Sequence, residues 1–145
     1  MENQRVNKAI KDAEEWLSSA KRNRDADVYS KSLYELEMSL EVSIKAIFIA
    51  LNIEFPKEHN VGLKLKEVYN SRKGAFPISF SEDIDGIIEI FYYLLKQRNA
   101  AGYSFESSFT EEDFRNSIKR HFDEAEKAIK KCMGAATKIA AASPD

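Results

Sequence analysis

Apolar residues recur at intervals of three and four along most of this chain and scarcely anywhere at intervals of two. That spacing lines up side chains on one face of an α-helix, so the pattern predicts helices and no strand of useful length. The first helix is expected from about Val6 to Lys21, with Val6, Ile10, Ala13, Trp16, Leu17 and Ala20 on one face. Asp27 is placed to cap a second helix that runs to about Leu51. Its stripe of Leu33, Leu36, Leu40, Ile44, Ile47 and Leu51 is broadened by Met38, Val42 and Ile49. A helix apolar almost all round belongs at the centre of a bundle or against a second subunit. Ser32, Ser39, Ser43, Ala46 and Ala50 recur along the same helix. Small side chains admit a neighbouring backbone, so these serines read as packing devices, and no histidine stands at a spacing that would activate one as a nucleophile.

The chain has three prolines and five glycines, gathered between the periodic segments. Asn52 to His59 is a connecting loop, and Asn60 is placed to cap a short third helix from about Val61 to Arg72. Lys73 to Pro77 is the next break. A fourth helix is expected from Ser81 to Gly102, ended by its glycine. Thr110 and Asp113 have the spacing of a capping box, with Asp in the usual place of Glu, and open a fifth helix to about Met133. Its buried stripe is Phe114, Ile118, His121, Phe122, Ala125, Ile129, Cys132 and Met133. The fold class is therefore an all-α, up-and-down bundle of five helices, four long and one short. Residues 1–134 form the bundle and residues 135–145 an Ala-rich tail, suited to a frayed end or a continued helix.

One residue breaks the pattern. The fourth helix carries Ile84, Ile87, Ile88, Phe91, Leu94 and Leu95 as its stripe, and the next heptad step from Phe91 lands on Arg98. A guanidinium keeps its charge, and burying it unpaired is far more unfavourable than any packing gain. Arg98 must then face a carboxylate, a phosphate or a wet cleft. Tyr103 follows five residues later, after an Ala100-Ala101-Gly102 spacer that lets the opposite surface approach. The candidate ligand-binding cleft is Arg98, Asn99 and Tyr103.

Length and charge narrow the classes. At 145 residues the chain fits one domain that buries roughly two-thirds of its unfolded surface. Lys and Arg number 22 against 24 Asp and Glu, and the net charge of −2 argues against a sequence-independent nucleic-acid coat protein, though not against a local basic groove. The single cysteine, Cys132, cannot form an internal disulfide and suits a reducing, cytoplasmic setting. With two histidines and one cysteine, no Cys/His metal cluster and no cofactor are expected. The longest apolar run, Ile44 to Leu51, is interrupted by Lys45, so neither a membrane span nor an N-terminal leader is expected.

The remaining candidates have plainer explanations. His59 is expected to pack on the bundle end and bond a backbone group, and His121 to be a satisfied core or interface histidine. Glu41 stands four before Lys45, the spacing of a helical ion pair, with Glu37 on the same face. Either glutamate is also placed to partner Arg98. The cations Arg115, Lys119, Arg120, Lys127, Lys130 and Lys131 of the fifth helix read as a solvated face, or as a phosphate-steering patch if they border the Arg98 cleft. Glu-x-x-His pairs of a two-metal bundle and Gly-rich phosphate loops are both absent.

From Tyr34 to Gly62 the chain resembles the heart of a HEPN domain, particularly the archaeal single-domain kind. The Pro56-Lys57-Glu58-His59-Asn60-Val61-Gly62 element carries most of the likeness, helped by Ala13-Glu14-Glu15-Trp16-Leu17. The resemblance implies a dimer whose paired helices form a metal-independent ribonuclease site, with an arginine that binds phosphate and a histidine a few positions later that assists attack by the 2′-hydroxyl. Arg98-Asn99 matches the first half of that signature, and Tyr103 stands where the histidine belongs. A phenol with a pKa near 10 is a poor base at neutral pH. The reading is thus a cytoplasmic homodimer that binds a nucleotide, RNA or a small nucleotidyltransferase partner without efficient catalysis. One alternative is a toxin-type endoribonuclease of a HEPN/nucleotidyltransferase toxin–antitoxin pair, with Tyr103 or His121 in place of the base. The other is a purely structural interaction module.

Overall fold

The computed structural model describes residues 2–55, 57–102, 105–106 and 108–142. Five α-helices account for most of them: α1 (Glu2–Asp25), α2 (Tyr29–Ala50), α3 (Gly62–Ser71), α4 (Phe80–Gly102) and α5 (Glu111–Ala142). A single 3-10 turn, Lys73–Ala75, joins α3 to the segment before α4, and no strand occurs among the described residues.

The central helix is α2. It packs against α1, α5 and α4, and Leu33, Leu36, Leu40, Ile44 and Ile47 are wholly enclosed. Three neighbours within one chain therefore cover the apolar surface for which a second subunit was the alternative. The predicted small-residue stripe faces inward: Ser32, Ser39, Ser43, Ala46 and Ala50 are all buried. Ser32 Oγ donates to the Ala20 carbonyl and Ser39 Oγ to the Ala13 carbonyl, each at 2.7 Å, which ties α2 to α1 wherever the backbones come close. Ser43 turns back to the Leu40 carbonyl of its own helix at 2.9 Å.

Helix ends depart from the expectations in instructive ways. Asp27 is not the cap of α2: the N-cap is Val28, without a side-chain bond. Asp27 instead takes the left-handed conformation (φ 61°) and accepts a 2.7 Å hydrogen bond from the Tyr29 hydroxyl, holding the tight α1–α2 turn. Asn60 accepts a 3.4 Å bond from the Gly62 amide, though Val61 is the capping position of α3. The capping box of α5 forms reciprocally: the Asp113 amide donates to Thr110 Oγ1 at 3.2 Å, and the Thr110 amide donates to Asp113 Oδ2 at 2.8 Å. Gly102 is the last residue of α4 and has no positive φ, so a left-handed twist is not what it supplies. Beyond Met133, α5 continues to Ala142 with Ala135, Ala136, Ile139 and Ala140 buried. Alanine favours helix, and these four fall on the face turned to the core. Against the middle of α4, a Cβ on Gly62 would stand 3.1 Å from the Tyr92 ring, so glycine permits the close approach of α3 to α4.

Candidate functional site

The site grows out of a polar stripe on the most apolar helix. Tyr34, Glu37, Glu41 and Lys45 recur on one side of α2, where α4 and the α2–α3 loop come against it. Leu94 and Phe91 anchor α4 in the core, and one further turn brings Arg98 over that stripe. The Arg98 side chain keeps 12% of its surface exposed, so it is largely enclosed but has one open side.

Its partners are specific. Arg98 Nε lies 3.1 Å from Glu37 Oε1. Nη2 donates to the Tyr34 hydroxyl at 3.2 Å and reaches His59 Nε2 at 3.4 Å. The guanidinium carbon sits 4.8 Å from the centre of the Tyr34 ring, a cation–π placement. His59 Nδ1 lies 3.0 and 3.2 Å from the two oxygens of Glu41, and Lys45 Nζ holds Glu41 Oε2 at 3.0 Å. Facing a carboxylate, Nδ1 carries the ring's proton, which leaves Nε2 as the acceptor on the Arg98 side.

The Glu37–Arg98 contact is not an ordinary salt bridge. The two groups are close, yet the guanidinium N–H is not aimed at the oxygen: Arg98 Nε and both Glu37 oxygens are buried without an aligned hydrogen bond. Burial, seconded by the adjacent Glu41 carboxyl, pushes the Glu37 carboxyl up to about 9 against the pull of Arg98. Burial and Glu41 thus favour the neutral form of Glu37, while Arg98 and Lys45 oppose it. Glu41 attracts the charge of Arg98 as well, but is shared with Lys45 and His59.

That charge opens into a cleft of about 620 Å³, within the range of small-molecule sites. Arg98, Asn99, Ala101 and Gly102 form the α4 wall, His59 the loop side, and Lys31, Tyr34 and Glu35 the α2 wall. Trp16 and Asn23 of α1 close it. The small residues of α4 keep the cleft open: even a Cβ on Gly102 would come only to 3.7 Å from the Tyr34 ring. Opposite Arg98, Glu35 is held by Ser19 Oγ on one oxygen and Asn23 Nδ2 on the other.

Of the predicted site residues, Arg98 and Asn99 share this cleft, with Asn99 exposed. Tyr103 lies outside the described residues. Of the two glutamates placed to partner Arg98, Glu37 makes the close contact, and one turn further along α2 Glu41 meets the loop and His59. His59 does not bond a backbone group at the bundle end; it bonds Glu41 and borders Arg98. His121 is nowhere in the cleft. Its ring stacks on Tyr93 with centroids 4.1 Å apart, near Glu124 at 3.7 Å, so it cannot stand in for a missing base. The α5 cations do not line the cleft either, and several are paired elsewhere: Arg115 with Glu112 and Lys130 with Glu126 on α5 itself, and Lys131 with Asp83 of α4. Sequence reasoning missed Trp16, Asn23, Lys31, Tyr34 and Glu35. The signal for Tyr34 was the polar spacing 34, 37, 41 on an otherwise apolar helix; for the α1 residues there was none.

The profile of the HEPN domain matches residues 6–134 of the sequence. The chain belongs to the HEPN domain family. The match takes in all five helices but for the first residues of α1 and the last turns of α5, and it covers every residue of the cleft. Membership connects the chain to ribonuclease or nucleotide-related function in general. No curated protein and no solved structure gave a match. Among the described residues, no helix is long and apolar enough to cross a membrane.

Proposed function

We propose that this HEPN protein binds the phosphate of a nucleotide or of an RNA chain in the Arg98 cleft. The observation that carries the reading is the geometry: a largely enclosed guanidinium with one open side, held by Tyr34 and His59, beside a buried Glu37 whose carboxyl is pushed towards its neutral form. Such a cation gains most from an anion that enters from the open side, because the surrounding protein weakens the competing solvation. Lys31 adds a second positive charge on the cleft wall. Titration with inorganic phosphate and with nucleoside monophosphates, followed by 31P or protein NMR, tests it. Binding that is lost in Arg98→Ala supports the reading, and an equal affinity in that variant overturns it.

The protein is read as a homodimer, supported by the exposed Leu63 and Tyr92 on the α3–α4 side. Sedimentation at micromolar concentration tests this part, and a monomer there removes it. A cytoplasmic setting with a small nucleotidyltransferase as partner belongs to the same proposal.

A second reading is favoured by one observation, the Glu41–His59 pair. With Nδ1–H held by Glu41, His59 Nε2 takes the proton of a ribose 2′-hydroxyl once the phosphate has drawn Arg98 Nη2 away from it. That oxygen would attack a phosphorus held by Arg98, forming a cyclic phosphate as the bond to the 5′-oxygen breaks and that oxygen takes a proton from solvent. In this toxin-type ribonuclease, the base comes from the α2–α3 loop in place of position 103. RNA cleaved by the unaltered chain and left intact by both His59→Ala and Arg98→Ala would establish it; intact RNA in all three leaves the binding reading alone.

A further inference from the structure

The cleft has a second pole that phosphate binding does not use. We infer that the part of it between α1 and Glu35 of α2 is a nucleobase subsite selective for guanine, with Trp16 as the stacking surface and Glu35 as the reader of the base edge. This deepens the phosphate reading and rests on it. The argument begins with Glu35. A carboxylate facing a cation-rich cleft is out of keeping with a site for phosphate alone, since it repels the ligand. Yet it is fixed there, one oxygen taking the Ser19 hydroxyl and the other the Asn23 amide. Each oxygen has two acceptor positions, so each keeps one. The pair then offers two adjacent acceptors at a set orientation.

Among the neutral bases, guanine alone presents two adjacent N–H donors, N1–H and the 2-amino group, on one edge. Adenine and cytosine each set a donor beside an acceptor, and uracil flanks its one N–H with two carbonyl oxygens. A bidentate contact of this kind discriminates, because a wrong base sets a carbonyl or ring nitrogen against the part-buried carboxylate. Trp16 supplies the flat face: it lines the same cleft, is partly exposed, and stands one turn before Ala20 on α1. Stacking on an aromatic side chain suits every base, so Trp16 gives affinity while Glu35 gives choice.

The ligand class is a guanosine phosphate, either free or within a single strand of RNA. Trp16 is the sole tryptophan of the chain, so its fluorescence reports stacking directly. The experiment titrates the unaltered protein with GMP, IMP, AMP, CMP and UMP, and with a pentanucleotide carrying one guanosine or none. GMP is expected to quench Trp16 and to bind at least tenfold more tightly than AMP, CMP or UMP. IMP, which lacks only the 2-amino group, is expected to fall between GMP and AMP. In Glu35→Gln the ratio of GMP to AMP affinity should drop towards one.

Affinities within threefold of one another for all five nucleotides overturn the inference, as does a GMP preference that survives in Glu35→Gln. If that variant fails to fold, the IMP comparison on the unaltered chain decides. Guanosine-dependent binding of the pentanucleotide above that of GMP assigns the subsite to RNA, and the reverse assigns it to the free nucleotide. Inorganic phosphate that binds while the nucleotides show no ranking removes only the base subsite; loss of both phosphate and nucleotide binding removes the phosphate reading with it.

Discussion

The two sides of α2 handle buried polar groups in opposite ways. Towards α1, Ser32 and Ser39 are wholly enclosed, and each hydroxyl finds a carbonyl of the facing helix at 2.7 Å. Towards α4, Glu37 is equally enclosed, but both of its oxygens, Arg98 Nε and Gln97 Oε1 lack an aligned partner. Buried polar atoms in folded proteins are nearly always satisfied, because leaving one unmatched is unfavourable by about 1–3 kcal/mol. The α1 seam therefore stabilises the bundle, whereas the α4 seam holds polar groups away from their best partners. A ligand-binding site has reason to do so, since a guanidinium saturated by its own protein has little left for an anion. Burial of Glu37 is the device: it favours the neutral carboxyl, which cancels less of the charge of Arg98.

The contrast can be broken most severely at the satisfied seam. Ser39→Leu forces three extra carbons and removes a hydrogen bond where two backbones meet, and should destabilise the fold by about 3 kcal/mol in urea unfolding. A milder change, Ser39→Ala, removes only the bond to the Ala13 carbonyl and is expected to lower stability by about 1 kcal/mol.

At the unsatisfied seam the response should depend on pH. Glu37 has a folded-state value of about 9 against 4.5 for an ordinary glutamate. The folded chain thus holds a proton that the unfolded chain has released, and stability falls as pH rises between those values. Below about 4.5 the contribution is complete, and above about 9 it is gone. Glu37→Gln mimics the protonated form, so its urea midpoint should gain on the unaltered protein steadily from pH 5 to pH 9. A constant gap across that window would mean that Glu37 is ionised beside Arg98. The smallest effect is expected at His59, whose side chain is 55% exposed. His59→Ala should change stability by less than about 0.5 kcal/mol while altering ligand binding or RNA cleavage, which separates a site residue from a packing residue.

Much of the architecture was legible in the chain itself. The stripes of α2, α4 and α5 land in the core, and the small residues of α2 sit where helices approach. The Thr110–Asp113 box closes as its spacing requires. These features answer to local periodicity and capping chemistry, which act within a turn or two of the helix. The same locality explains the errors. Asp27 has the composition of a cap, but the tight turn after α1 puts it in the left-handed region and hands capping to Val28. The polar stripe of Tyr34, Glu37 and Glu41 was visible as a spacing, without any indication of which glutamate would meet Arg98.

What the sequence determined alone is that Arg98 falls on a buried face, because heptad periodicity and the permanent charge of a guanidinium need no partner to be known. Its surroundings were decided only by tertiary structure. His59 stands 39 residues before Arg98 and Tyr34 stands 64 before it, and Trp16 and Asn23 come from another helix again. Those separations carry no periodic signal. They become distances of 3 to 5 Å for His59 and Tyr34 only when α4 packs across α2 and the α2–α3 loop folds back over Glu41. The upward push on the Glu37 carboxyl is likewise a property of burial, so no reading of the chain could assign it before the helices were packed.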